Sequence, residues 1–297
     1  MPTKKEVFMT KTKFNTKALV ENALMIAFAT VLSLVKLVEM PYGGSVTLAS
    51  MVPILIVSYR NGIASGVLSG LVYAAIQQLL GLNNLSYVTG WQSVLAVILL
   101  DYIIAFTVIG LAGLFKGKLV SSEASLAKRQ SVEFACGMAF ACLLRYILHT
   151  VAGATVWAGL SIPTEAALVY SIGYNATYMI PETIVNVAAA AYIGSSVDFA
   201  KAIVTRIGNF VAGRDKRFAV ARAVLPKVAG LLATATTVIA VCIIAPNLQD
   251  AESGKFSFDG LANLNVTALV ITLSVGIVAT VACLVTKFIL DKIANKD

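Results

Sequence analysis

Long apolar stretches separated by short polar segments run the length of the chain, at about 19–38, 45–59, 62–81, 90–115, 131–158, 166–195, 226–246 and 264–288. A helix needs about 20 consecutive apolar residues to cross a bilayer. The pattern therefore predicts an all-α, polytopic membrane protein with eight spans. The second stretch is short and contains Pro53, so it is expected to be broken or strongly tilted. Basic residues test the count independently, because positive charge collects in cytoplasmic loops. With the N-terminus inside, the inner segments hold Lys4 to Lys17, Arg60, Lys116 to Arg129, Lys201 to Lys227 and Lys287 to Lys296. The outer segments 39–44, 82–89, 159–165 and 247–263 hold Glu39, Glu165, Asp250, Glu252 and Asp259, with Lys255 as their single basic residue. Both termini are thus expected inside, and removing the short second span would invert every later loop. The basic N-terminus is followed by no small-residue cleavage site, which predicts an uncleaved first helix.

Composition agrees. Of 297 residues, 58% are hydrophobic and 13% charged, against about 25% charged in soluble domains, and the mean hydropathy is +0.85. A water-soluble enzyme, a disordered chain and a fibrous chain are excluded. The net charge of +8, from 23 basic and 15 acidic residues, sits between apolar segments and sets topology rather than binding nucleic acid. Cys136, Cys142, Cys242 and Cys283 lie in apolar runs without a CxxC pair, so neither a disulfide framework nor a metal site is expected. No GxxxxGK[ST], GxSxG or HExxH motif occurs, so neither P-loop ATP hydrolysis nor a common hydrolase chemistry is expected. No cofactor is implied, and no internal repeat of the inverted-transporter kind is evident. Residues 196–225 place Phe199, Ile203, Ile207, Phe210 and Val211 at helical spacing among Lys201, Arg206, Arg214, Lys216 and Arg217. They read as an interfacial helix drawn to anionic lipid, dividing a 1–195 membrane core from a C-terminal helix pair at 226–297.

Charged groups inside a bilayer are costly and mark functional places. Asp101 falls mid-span and reads either as an ion-pair partner of Arg145 or as the counter-charge of a cationic ligand. Arg145, His149, Gly153 and Trp157 recur every four residues on one helix face. His149 and Trp157 are then about 12 Å apart along the axis, a spacing that suits an elongated molecule with two rings. His149 equally suits a satisfied core histidine, and Trp157 an interfacial belt. Tyr170, Tyr174 and Tyr178 form one row and Ser171 and Asn175 its neighbour, with Glu182 following Pro181. Three tyrosines in a row suit packing as well as a site, whereas a buried Asn175 amide demands hydrogen-bond partners. Trp91 opens the fourth span as a belt residue or as part of a cover over an outward pocket. Together these groups describe an aromatic outer cavity with one carboxylate, one imidazole and one amide.

In order and spacing these residues resemble the thiamine-specific substrate-binding (S) component of energy-coupling factor transporters. The resemblance runs from about Lys13 to Ala202. It includes Lys13-Phe14-Asn15, Ala23-x-x-x-Ala27, Tyr42-Gly43-Gly44-Ser45-Val46, Pro53-Ile54-Leu55 and Tyr59-Arg60-Asn61-Gly62. It continues through Asp101-Tyr102, the run from Gly110 to Phe115, Arg145-Tyr146 with the His149, Gly153 and Trp157 repeat, and Tyr170-Ser171 with Asn175. The resemblance implies a six-helix core that binds thiamine from outside with Asp101 on the aminopyrimidine. Trp157 and Tyr170 would surround the rings, and Tyr102, His149 and Asn175 would complete the pocket, with Gly153 and Trp91 as further substrate-binding candidates. It further implies a transmembrane coupling subunit, docked on the small residues Ala23 and Ala27, and two ATPase subunits.

Three departures stand out: some relatives carry Glu at the Asp101 position, a Trp that some carry after the first span is Gly44 here, and Trp91 stands where a Tyr can occur. Residues 203–297 lie outside the resemblance. A self-sufficient carrier, with Asp101, Arg145 and Glu182 as an ion relay, stands as the competing reading. A weaker third is an intramembrane enzyme using His149 and Asp101.

Overall fold

The computed structural model describes residues 16–40, 43–160, 162, 164–201, 203–207, 216–248 and 256–294. Lys13-Phe14-Asn15, Tyr42, Phe210, Val211, Arg214, Asp250, Glu252 and Lys255 lie outside the described residues. Helix α1 (Thr16–Leu34) leads into an antiparallel hairpin of β1 (Lys36–Glu39) and β2 (Ser45–Thr47). There follow α2 (Val52–Asn61), α3 (Ile63–Leu80), α4 (Trp91–Phe115), α5 (Leu126–Thr155) and α6 (Ala167–Ser196). Helices α7 (Lys216–Ile244) and α8 (Val266–Ala294) complete the chain.

Among the described residues six helices are long and apolar enough to cross a membrane: α1, α3, α4, α5, and the two C-terminal helices. The other two of the eight apolar segments became α2 and α6, and each falls short for a reason tied to its place. Helix α2 has only 10 residues, about 15 Å of rise. Pro53 sits in its first turn, where a missing N–H costs nothing, so the proline starts the helix instead of breaking it. The start of that apolar segment, Ser45–Thr47, forms β2 of the hairpin. Helix α6 is long but carries Asn175, Glu182 and Asn186, all buried.

Helix α2 is the axle of the core: Val52 through Tyr59 are all buried, packed with Ile109, Phe134 and Met138. In lipid there is no water to expel, so cohesion comes from close packing and internal hydrogen bonds. One set of these hydrogen bonds lies at the basic end of the bundle. The Tyr59 hydroxyl donates to Glu133 (2.7 Å), whose other oxygen accepts from the Gly117 N–H (2.9 Å). Arg60 pairs with Glu21 of α1 and donates to the Phe199 and Lys201 carbonyls.

The sequence pattern suggests a surface helix after residue 195, and here the structure differs. Val197–Asp198 and Thr205–Arg206 form a short antiparallel ribbon. Ile203, Val204 and Thr205 are consecutive β-branched residues, which favour extended backbone. Phe199 turns inward, stacked on Phe134 at 5.3 Å. From Lys216 onward the chain already belongs to α7. Helix α7 packs on α6 and touches β1, while α8 packs on α7. Asp291 of α8 accepts from both Arg222 (2.7 Å) and Lys287 (2.5 Å).

Candidate functional site

A cavity of about 510 Å³ opens between the hairpin, the ends of α3 and α4, and the facing sides of α5 and α6. Its size lies within the range of small-molecule sites. Asp101 reaches it from a π-helical stretch, Ile98–Ile104, inside α4. Such single-turn widenings are rare and recur where a helix must present a functional side chain.

Asp101 is the hub. One carboxylate oxygen takes a hydrogen bond from His149 Nδ1 (2.9 Å) and the other from Trp157 Nε1 (2.8 Å). His149 Nε2 faces an Arg145 guanidinium nitrogen at 3.5 Å. Arginine can only donate, so Nε2 accepts and the Nδ1 proton points at Asp101. The two oxygens offer about four lone-pair positions, which leaves room for donors from a ligand. The expected 12 Å separation of His149 and Trp157 is not realised, since both rings converge on one carboxylate. Helix α5 ends at Thr155, and the Trp157 N–H folds back on the Ala152 carbonyl (3.3 Å). The anticipated ion pair of Asp101 with Arg145 does not form either. Arg145 is buried, lies 4.3 Å over the Phe106 ring and donates to the Met51 sulfur. Among the described residues it makes no ion pair.

Asn175 satisfies its own demands within the protein. Its amide nitrogen donates to the carbonyls of His149 (3.2 Å) and Ser171 (2.9 Å), and its oxygen accepts from the Tyr178 hydroxyl (2.5 Å). Gly153 explains how α5 and α6 come this close: a Cβ there would collide with Ser171 Oγ. Tyr102, its hydroxyl held by the Asn84 side chain (2.8 Å), closes the wall beside Asp101. At the mouth, the Tyr174 hydroxyl donates to the Gly43 carbonyl (2.9 Å). Gly44 has φ +77°, and a Cβ would come within 2.8 Å of the Tyr178 ring. That ring stands against the hairpin at Gly44.

Asp101, Tyr102, His149, Gly153, Trp157 and Asn175 therefore all line the cavity. Tyr170 does not, and Trp91, 73% exposed at the start of α4, stands apart from it. Tyr174 and Tyr178 of the tyrosine row also line it, as do Tyr73, Gln77 and Asn84, which no sequence pattern singled out. The tyrosine row was visible as a pattern; which members face inward depended on the neighbour of α6.

Glu182 lies at the cavity's inner end. It accepts from the Thr47 N–H (2.6 Å) and hydroxyl (2.8 Å), fastening the hairpin to α6.

The sequence model described as "Thiamine transporter protein (Thia_YuaJ)" matches residues 19–198. The chain is 35% identical over 170 residues to the thiamine transporter ThiT of Bacillus subtilis (strain 168), covering 56% of this chain and 84% of that protein. It is 25% identical over 187 residues to ThiT of Lacticaseibacillus paracasei, covering 59% and 85%. A solved structure of ThiT from Listeria monocytogenes aligns with a TM-score of 0.50 at 23% identity, over 60% of this chain and 93% of that one, and so shares its fold. With more than half of its length matched, the chain belongs to the thiamine transporter protein family, and is a multi-pass protein of the cell membrane, a transport component rather than an enzyme.

Proposed function

We propose that this chain is the thiamine-binding subunit of a vitamin uptake transporter, loading its ligand from outside and delivering it only with a coupling subunit and two ATPase subunits. One observation carries the reading: a carboxylate held between an imidazole and an indole, in an aromatic cavity of suitable size. Thiamine joins an aminopyrimidine to a thiazolium with fixed positive charge. The exocyclic amine donates to the free lone pairs of Asp101, a charge-assisted bond. The thiazolium rests on aromatic faces that Trp157, Tyr102 and Tyr178 supply to the cavity, an attraction of about 0.5–2 kcal/mol. His149 holds Asp101 in place, and Asn175 and Gly153 shape the wall behind it. Tyr170 and Trp91 contribute no ligand contact in this arrangement.

Two features support the partner subunits. The chain contains no P-loop motif, so ATP-driven uptake needs another chain. Ala23 and Ala27 are exposed on α1, a small-residue face on which another transmembrane helix can pack closely.

Titrating purified protein with micromolar thiamine is expected to quench tryptophan fluorescence, and Trp157→Ala to weaken binding about tenfold. Absence of quenching in the parent protein would overturn the ligand. Gradient-driven uptake by proteoliposomes containing this chain alone would overturn its dependence on partners.

A further inference from the structure

Tyr170 sits outside the cavity because something else claims its ring, and that partner comes from beyond residues 19–198. The segment joining α7 to α8 lays two phenylalanines along α6. Phe258 stacks on Tyr170 at 5.8 Å and 28°. Phe256 meets Tyr174 edge-on at 5.4 Å and 81°, and the two phenylalanines meet each other at 5.0 Å. Phe256 is only 3% exposed. Their seat is cut by Gly173, where a Cβ would come within 2.6 Å of the Phe258 ring. The Ser257 N–H donates to the Leu248 carbonyl (3.1 Å), tying the two arms of the segment together.

From this seat ring contacts run unbroken to the carboxylate. Tyr174 lines the cavity and holds the Gly43 carbonyl at its mouth. Tyr174 packs on Tyr178 at 5.9 Å, and Tyr178 on His149 at 6.2 Å, the residue bonded to Asp101. Phe256 also shares a packed cluster with Trp157, Tyr102 and Ile162. Both walls of the cavity thus lean on the same phenylalanine.

We propose that Phe256 and Phe258 are positioning residues that keep the aromatic wall closed on the ligand, so that the C-terminal helix pair sets how long the ligand stays bound. The inference rests on the thiamine-binding reading for its ligand. Edge-to-face ring pairs contribute about 0.5–1.5 kcal/mol each beyond burial, and differences of this kind in one site are expressed mainly in dissociation rates.

The test uses the full chain in nanodiscs with Trp91→Phe, leaving Trp157 as the single indole. Stopped-flow fluorescence measures thiamine association and dissociation separately. Phe256→Ala and Gly173→Leu, which fills the seat, are each expected to speed dissociation about tenfold with association within about twofold. Phe256→Tyr is expected to restore the slow rate. A merely structural role would lower the yield of folded protein and leave the dissociation rate of the folded fraction unchanged. Unchanged dissociation in either folded variant overturns the proposal. If the Trp91→Phe parent shows no thiamine binding, the ligand reading fails, and acrylamide quenching of Trp157 decides the positioning role. Stronger quenching in the variants supports it, and equal quenching overturns it.

Discussion

Asp101→Asn is expected to weaken thiamine binding about 100-fold, because a charge-assisted hydrogen bond of about 1.5–3 kcal/mol and the counter-charge of a fixed cation disappear together. The substitution keeps the shape of the side chain but replaces one acceptor by a donor. Either the Trp157 indole N–H or the His149 Nδ1 proton, both now bound to Asp101 at under 3 Å, is then left without an acceptor. Asp101→Glu retains the charge with one more methylene and should recover much of the loss. Calorimetry on the full chain measures both. A dissociation constant for Asp101→Asn equal to that of the parent would remove the carboxylate from any role in recognition.

Glu182→Leu is expected to lower thermal stability by about 6 °C, corresponding to about 2 kcal/mol for the buried Thr47 N–H deprived of its acceptor, while the Thr47 hydroxyl keeps the Ser50 hydroxyl at 2.8 Å. The Thr47 N–H and hydroxyl lie 2.6 and 2.8 Å from this carboxylate, and neither Thr47 nor Glu182 is open to solvent. Leucine of similar volume fills the space but accepts nothing. The hairpin forms part of the cavity wall, so ligand affinity should fall alongside stability. Thr47→Val removes only the hydroxyl bond and should cost less. In the double variant Glu182→Leu with Thr47→Val the losses should be less than additive, since both changes delete one shared bond. A melting temperature unchanged by Glu182→Leu would show that the hairpin is held by other contacts.

Much of the membrane architecture was legible because a bilayer leaves few choices: apolar run length and the placement of Lys and Arg mark where helices lie. Of the two segments that fell short as spans, α2 is too short at 10 residues and α6 carries the buried polar groups Asn175, Glu182 and Asn186. Run length alone does not report that the first residues of the 45–59 segment pair as a strand in a hairpin. For the site, the four-residue repeat of His149, Gly153 and Trp157 located the right face of α5. It misjudged the distances, because periodicity assumes that the helix continues to Trp157, whereas it stops at Thr155. The Asp101–Arg145 pairing failed for a related reason, since either of two cations could reach the acid and only packing decides which does. Tyr170 shows the remaining limit: its direction is fixed by Phe258, nearly ninety positions later, in a region that the resemblance did not cover.

The placement of α7 and α8 has a bearing on assembly. The pair touches the bundle through α6 and β1, and Gly276 is the buried residue of α8. Ala23 and Ala27 of α1 stay exposed with the pair in place. A second helix that packs on these two residues would have no need to displace the C-terminal third of the polypeptide. The tail that braces one helix of the core thus leaves this small-residue face open.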